Sequence, residues 1–568
     1  MADGKKFLRK LEFSVLPNVS KPERYIGGES GTIIKKNADI RFCLVFAETY
    51  EIGMSNIGLQ ILYNQINETE NALCELSFCP WKDMEAKLKE TQIPLYSHTT
   101  YTPLKKFDII GISTPHEMCY TNIFTILSTA QIPFEYEKRP LDKYPLLIAG
   151  GAISSNPKPV EKIFDLIAIG EGEELIKETI KIFQQYKHLK NNKKEFLSKF
   201  KHIEGLYIPM LKNNVKRVFL EKLDKRLIKQ HIISNTAPVH DRCVVEIARG
   251  CKWGCRFCQA GYIYRPYREK PFETAIEEAL HFSAVLGTNE ISFLSLSSSD
   301  YKNLKDIIKF FKTQDDLKNI IISFPSMRIE ENTLLLLKEL YTKKRPTITL
   351  APEAGSERMI NIIGKKIKKE NFIKIAKELF KLGWKNLKLY FMIGLPFETK
   401  EDILGICRLM MEISSARKEI DGKFAQINAT ISNFIPKPHT PFQWARQNSV
   451  EELLEKQNLI KRNIKNKFIK PKFHSPYQSM IEGILSRGDE KTYYLIKKSW
   501  EKGARFDNWK EEFDFNTWKS AIEDLNFDYN EILKEKLLDH NLPWDNIQIM
   551  TNKKILENEW KKAKNAAL

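Results

Sequence analysis

Three cysteines stand together in the run Arg249-Gly-Cys-Lys-Trp-Gly-Cys-Arg-Phe-Cys258. They are Cys251, Cys255 and Cys258, spaced C-x3-C-x2-C, with Phe257 just before the last. Three thiolates on one short loop can ligate three irons of a cubane 4Fe-4S cluster, because thiolate is the ligand such clusters demand. The fourth iron is then left without a protein ligand, and an open metal position is one that binds and activates something. Two other readings stand beside this one. A structural zinc wants a fourth ligand, for which Cys243 and His240 lie upstream. Three unrelated buried cysteines are the other; Gly250 and Gly254 argue against it, since they suit a backbone wrapped tightly around something.

The spacing, with its aromatic residue before the third cysteine, resembles the radical S-adenosylmethionine (SAM) superfamily. The resemblance implies that the amino and carboxylate groups of SAM chelate the open iron. One electron from the reduced cluster then breaks a carbon–sulfur bond of the sulfonium, giving methionine and a 5′-deoxyadenosyl radical that abstracts hydrogen from substrate. A one-electron donor such as flavodoxin or ferredoxin is implied as partner, and Phe257 is counted with the cofactor-binding residues. The protein's own share is to hold the cofactors and keep water and oxygen from the radical.

These residues need a large scaffold, and 568 residues supply two to four domains. A hydrophobic fraction of 42% and an aromatic fraction of 11% exclude a disordered chain. Lys5, Lys6, Arg9 and Lys10 occupy the N-terminus without an apolar segment after them, so no secretory signal is read there. No apolar stretch is long enough to cross a bilayer. Nine cysteines in so long a chain are not a disulfide framework, and a reduced, cytoplasmic setting is expected. The net charge of +18 raises RNA as a partner. Lysine is spread along the whole chain, however, and runs such as Gly364-Lys-Lys-Ile-Lys-Lys369 read as solvated faces.

The fold class expected is α/β, in five stretches: an extension at 1–37, a doubly wound domain at 38–187, a linker with small β elements at 188–240, a partial barrel at 241–446 and a mainly helical domain at 447–568. In the first domain, strands read at 39–46, 107–113, 146–151 and 165–170 alternate with amphipathic helices, the pattern of a parallel sheet whose ligands bind beyond the strand carboxyl ends. A helix opens at Gly53, with Ser55 or Asn56 as cap. This domain resembles the Rossmann-like, cobalamin-binding domain that precedes the barrel in many radical SAM enzymes. The base-displacing Asp-x-His-x-x-Gly pattern is missing from Ala47-Glu-Thr-Tyr-Glu-Ile-Gly53. Either a corrinoid binds without a protein histidine, or the domain keeps the shape without the cofactor. His116 is the one histidine at a strand end and reads as an ordinary loop residue.

From residue 241 the strand–helix alternation resumes, with strands at 242–248, 290–296, 320–324, 347–350 and 387–393, as in a TIM-type barrel. The resemblance assigns SAM contacts to residues at the ends of these strands. Ser297, Ser298 and Asp300 replace the superfamily's Gly-Gly-Glu near the methionyl amino group. Ser326 and Arg328 are set against ribose or carboxylate. Glu353 and Arg358 follow, Arg358 pairing with the SAM carboxylate or else with Glu353 or Glu357. Gly394 admits close approach of adenine. His439 and Gln443 belong either to a lid over the barrel mouth or to a packed connector.

The tail, with Trp500, Trp509, Trp518 and Trp544, reads as a small helical core. Its phrases Ser486-Arg-Gly-Asp489 and Leu542-Pro-Trp-Asp-Asn546 resemble an uncharacterised radical SAM subfamily with an N-terminal cobalamin-binding-like domain. That resemblance supplies no substrate; RNA and protein stay open. A second function is a tRNA methylthiotransferase, with Cys43, Cys79 and Cys119 holding a second cluster, though Cys43 lies within a strand. A third is a non-catalytic, metal-stapled binding protein.

Overall fold

The computed structural model describes residues 7–237, 242–328, 334, 336–338 and 347–568. It is an α/β protein built on a six-stranded, mainly parallel sheet, a barrel wall of a three-stranded and a four-stranded parallel sheet, and a helical C-terminal region. The first sheet holds β1 (Ile40–Phe46), β2 (Ala72–Phe78), β3 (Ile109–Thr114), β4 (Leu146–Gly151), β5 (Leu166–Ala168) and β6 (Leu206–Tyr207), in the order β2-β1-β3-β4-β5-β6. All neighbours are parallel except the last pair. The strands are apolar because helices cover both faces, and Phe42, Cys43, Val45, Ile109 and Leu147 are fully buried. The chain crosses from β2 to the far side of β1, so the topological crevice opens between the ends of β1 and β3.

Local chemistry sets most boundaries. The Asn56 side chain accepts from Leu59 N and caps the helix Ile57–Glu68; residues Tyr50–Met54 form a separate short turn, so the long helix starts four residues later than Gly53. The stretch read as a linker carries the helix Lys193–Ser198 and β6. Lys193 there is no solvated lysine: its ammonium reaches the buried Asp165 carboxylate.

The barrel wall is formed by β7 (Cys243–Glu246), β8 (Glu290–Leu294), β9 (Ile321–Ser323), β10 (Ile348–Glu353), β11 (Asn386–Ile393), β12 (Gln426–Asn433) and β13 (Ile469–Phe473). They pair in parallel as β9-β8-β7 and as β10-β11-β12-β13. In β11 and β12 buried and half-buried residues alternate, as a wall with a packed outer face requires. The last strand, Ile-Lys-Pro-Lys-Phe, lies beyond residue 446; its proline and lysines suit the open edge of a sheet, which is why its sequence did not announce a strand. No helix among the described residues is long and apolar enough to cross a membrane.

Candidate active site

The cysteine loop leaves a two-residue strand, Ala248–Arg249, that pairs with Arg268–Glu269. Gly250 has φ +81°, and a Cβ there would stand 2.5 Å from Pro266 O and 2.6 Å from Tyr264 O, so only glycine admits the turn. Gly254 has no such constraint, its nearest neighbours being 3.7 Å from an added Cβ. The far side of the loop is pinned by Arg256. Its backbone N–H donates to Ile363 O (2.8 Å), its guanidinium donates to Asn361 O and Ile362 O, and Nε pairs with Glu559 at 3.0 Å.

Cys251, Cys255 and Cys258 open on one cavity of about 590 Å³ at the carboxyl ends of β8, β9 and β10. Burial holds all three thiols above the ordinary range, Cys258 at about 11, so ionisation to the ligating thiolate needs the charge of a metal. Cys243 is no fourth ligand, for its thiol is fully buried against Ala279 in the core between β7 and helix Phe272–Leu286. His240 lies outside the described residues.

Phe257, Ser297, Ser326, Arg328 and Glu353 line the same cavity. Ser297 is buried and its hydroxyl has no partner among the described residues, an unspent polar group facing the space. Arg328 stacks its guanidinium on Trp253 of the cysteine loop, 3.6 Å from the ring centroid, and so ties β9's end to that loop. Ser326 and Glu353 both take positive φ, +59° and +67°, and the β10 register slips between Leu350 and Glu353. Such bulges re-aim side chains at sites, and here the bulge directs Glu353 into the cavity.

The other residues singled out from sequence lie elsewhere. Ser298 is buried and donates to Pro325 O, joining two strand ends. Asp300 accepts from Trp253 Nε1 at 2.8 Å, which positions the cysteine loop from outside. Arg358 turns to the acidic start of helix Lys400–Ala416, pairing with Asp402 at 3.0 Å and donating to Phe397 O rather than meeting Glu353 or Glu357. Gly394 has φ +82°, and an added Cβ would press on Leu453 Cδ2 at 2.9 Å. His439 and Gln443 form a packed connector: His439 bonds Ser155 O, and Gln443 accepts from His439 N and Trp544 Nε1. Lys365, read as one of a solvated run, faces the cavity, pairing with Glu353 at 3.3 Å and donating to Ala351 O. Only its place after Gly364 set it apart from the neighbouring lysines.

The β1–β3 crevice differs. The Thr49 and Thr114 hydroxyls there are buried without partners among the described residues. Around them, His116 Nδ1 accepts from Met118 N while Nε2 meets Glu482 at 3.3 Å, so both ring nitrogens are engaged. Lys437 bridges Glu117 (3.1 Å) and Glu482 (2.8 Å). These residues fit a polar ligand or a corrinoid held without a protein nitrogen, not one ligated by histidine. Cys43, Cys79 and Cys119 sit in the core of this sheet; Cys79 donates to Asn122 O and Cys119 to Glu48, and burial drives all three thiols up.

Residues 58–209 match the N-terminal region of radical SAM proteins, and residues 245–410 match the radical SAM superfamily. An uncharacterised protein of Methanocaldococcus jannaschii is 28% identical over 79% of this chain and 88% of its own length. A tRNA-2-methylthio-N(6)-dimethylallyladenosine synthase of Pelagibacter ubique is 24% identical over 50% of this chain, which spans 61% of that relative. Among solved structures, the radical SAM methyltransferase TsrM from Kitasatospora setae, with cobalamin and a 4Fe-4S cluster bound, superposes with a TM-score of 0.50 at 14% identity. It covers 71% of this chain and 77% of its own, a likeness of fold. The cysteine loop and most of the barrel that carries it thus lie in a radical SAM domain, and the sheet before the barrel lies largely in the N-terminal region found in radical SAM proteins.

Proposed function

We propose that the cavity over Cys251, Cys255 and Cys258 is where a 4Fe-4S cluster and SAM meet, with this chain's side chains dividing the contacts by charge. The observation that carries the reading is that the three cysteines and the unpartnered Ser297 hydroxyl open on the same space. The chain is a radical SAM enzyme, and SAM bound at the cluster supplies the 5′-deoxyadenosyl radical. Arg328 holds the SAM carboxylate, a charge-assisted contact strengthened where water is excluded. Glu353, steadied by Lys365, takes the amino group. Ser297 and Ser326 take ribose hydroxyls. Anaerobic reconstitution should load about four irons per chain and give reductive SAM cleavage, both lost in Cys255→Ala; iron without cleavage overturns the reading.

RNA is the substrate class we put first, supported by the charge of +18 and by the tRNA-modifying names of several relatives. The core position of Cys43, Cys79 and Cys119 lends no support to a second cluster. A one-electron donor of the flavodoxin or ferredoxin kind, in the cytoplasm, completes the scheme. The Thr49 and Thr114 hydroxyls support a corrinoid held without histidine, which would supply methyl transfer. A corrinoid absorption spectrum in protein from cobalamin-fed cells tests this, and its absence removes the cofactor.

A further inference from the structure

Two phrases of the C-terminal sequence play no part in the SAM cavity, yet they face each other. Ser486-Arg-Gly-Asp489 and Leu542-Pro-Trp-Asp-Asn546 both contribute to a separate cavity of about 540 Å³, together with Lys158, Lys491, Glu531, Lys536 and His540. It shares no lining residue with the cysteine cavity.

Arg487 is its unusual member. The side chain is 3% exposed, donates to Ala445 O (2.6 Å) and Lys534 O (3.1 Å), and has an Nε without any partner. No carboxylate among the described residues lies within ion-pair distance of it. A buried guanidinium left with two carbonyls and no counter-charge is expensive to keep. Burial lowers its pKa to about 10, and both burial and the charge of Arg487 lower that of Lys536. Among the acids of the cavity, Glu490 pairs with Lys158 (3.2 Å) and Glu531 with Lys534 (2.7 Å), while Lys536 donates to the Glu531 carbonyl. The wall carries four cations, Lys158, Arg487, Lys491 and Lys536, against three acids, Asp489, Glu490 and Glu531. The excess is one positive charge.

We propose that this cavity binds a phosphate monoester of nucleotide size, with Arg487 and Lys536 as its counter-charges. A phosphate monoester carries close to two negative charges near neutral pH and three acceptor oxygens. The planar fork of Arg487 suits it, and the volume leaves room for more than inorganic phosphate. The site also lies at a junction. Asn156, from the loop after β4, donates to Ser486 O and Gly488 O on either side of Arg487, while Ala445 follows the barrel's proline-rich connector. A bound phosphate would brace the parts of the chain that meet here.

The test is isothermal titration and thermal unfolding of the reconstituted holoenzyme, with SAM saturating so that the cysteine cavity is filled. AMP and a short 5′-phosphorylated RNA are the two probes. The proposal expects a single site and a dose-dependent rise in melting temperature. Binding should weaken at least about tenfold in Lys536→Ala and in Arg487→Met, as loss of a charged hydrogen bond requires. AMP binding alone identifies a free nucleotide as the source; tighter binding of the RNA identifies its 5′ end. If neither probe binds, or if binding survives unchanged in both variants, there is no phosphate site. Lys536 is half-exposed, so its variant keeps the test decisive even where Arg487→Met fails to fold.

Discussion

The N-terminal sheet and the barrel wall both end in a crevice and use it differently. At the barrel, three thiols face an open space, and the Ser297 hydroxyl beside them has no partner among the described residues. At the N-terminal sheet, the charged groups have been spent on one another: Lys437 on Glu117 and Glu482, His116 on Glu482 and a backbone N–H. The ends of β1 and β2 are also covered by the C-terminal region. Phe506 stacks on Trp81 at 4.4 Å, Trp509 Nε1 donates to Glu48, and Asp507 accepts from Thr121 and Trp518. Strand carboxyl ends give a place for chemistry; at the barrel three thiols face it, whereas at the N-terminal sheet only the Thr49 and Thr114 hydroxyls are left over among the described residues.

The sharpest way to break this contrast is at the cysteines. Cys255→Ala should take reductive SAM cleavage to background and lower bound iron, while Cys79→Ala leaves the iron count unchanged. A fall in iron on Cys79→Ala would make the two crevices alike. Next in size is the cover over β1 and β2. Phe506 is fully buried, and Phe506→Ala should cost about 3–5 kcal/mol of stability in denaturant unfolding without changing iron per folded chain.

Asp507 tests the same cover by pH. Burial raises its pKa from 3.8 to about 6, so the folded chain holds this proton more tightly than the unfolded one. Its ionised form therefore opposes folding above about pH 6. The opposition is relieved as pH falls toward the unfolded value, by up to about 3 kcal/mol. The stability difference between wild type and Asp507→Asn should shift toward wild type between pH 7 and 5; a flat difference would show that the carboxyl is not so enclosed. The smallest effect belongs to Ser297→Ala. SAM should bind roughly 5- to 15-fold more weakly, about one to one and a half kcal/mol for a single hydrogen bond, with melting temperature unchanged because no internal bond is lost. Equal affinity would remove Ser297 from the contacts.

Much of this architecture could be read in advance because it rests on local patterns. Apolar runs such as Ile109–Thr114 and Leu146–Gly151 declare buried parallel strands, and the cysteine spacing declares its loop. What stayed hidden depends on distant residues. Lys365 is one lysine among many until the bulge at Glu353 brings a carboxylate to it. Arg358 had two acids nearby in sequence and chose a third, Asp402, because the helix start of Lys400–Ala416 packs beside it. The strand Ile469–Phe473 carries proline and lysine, which suit an edge and so mimic a loop.

The pairing of Arg256 with Glu559 joins residues 303 positions apart in the chain. During synthesis the ribosome delivers the metal-binding loop long before the closing helix, Lys553–Asn565, exists to hold it. Until then Arg256 has only the carbonyls of Asn361, Ile362 and Ile363 to hold it. A chain cut short before Lys553 would keep all three cysteines and lose this clasp.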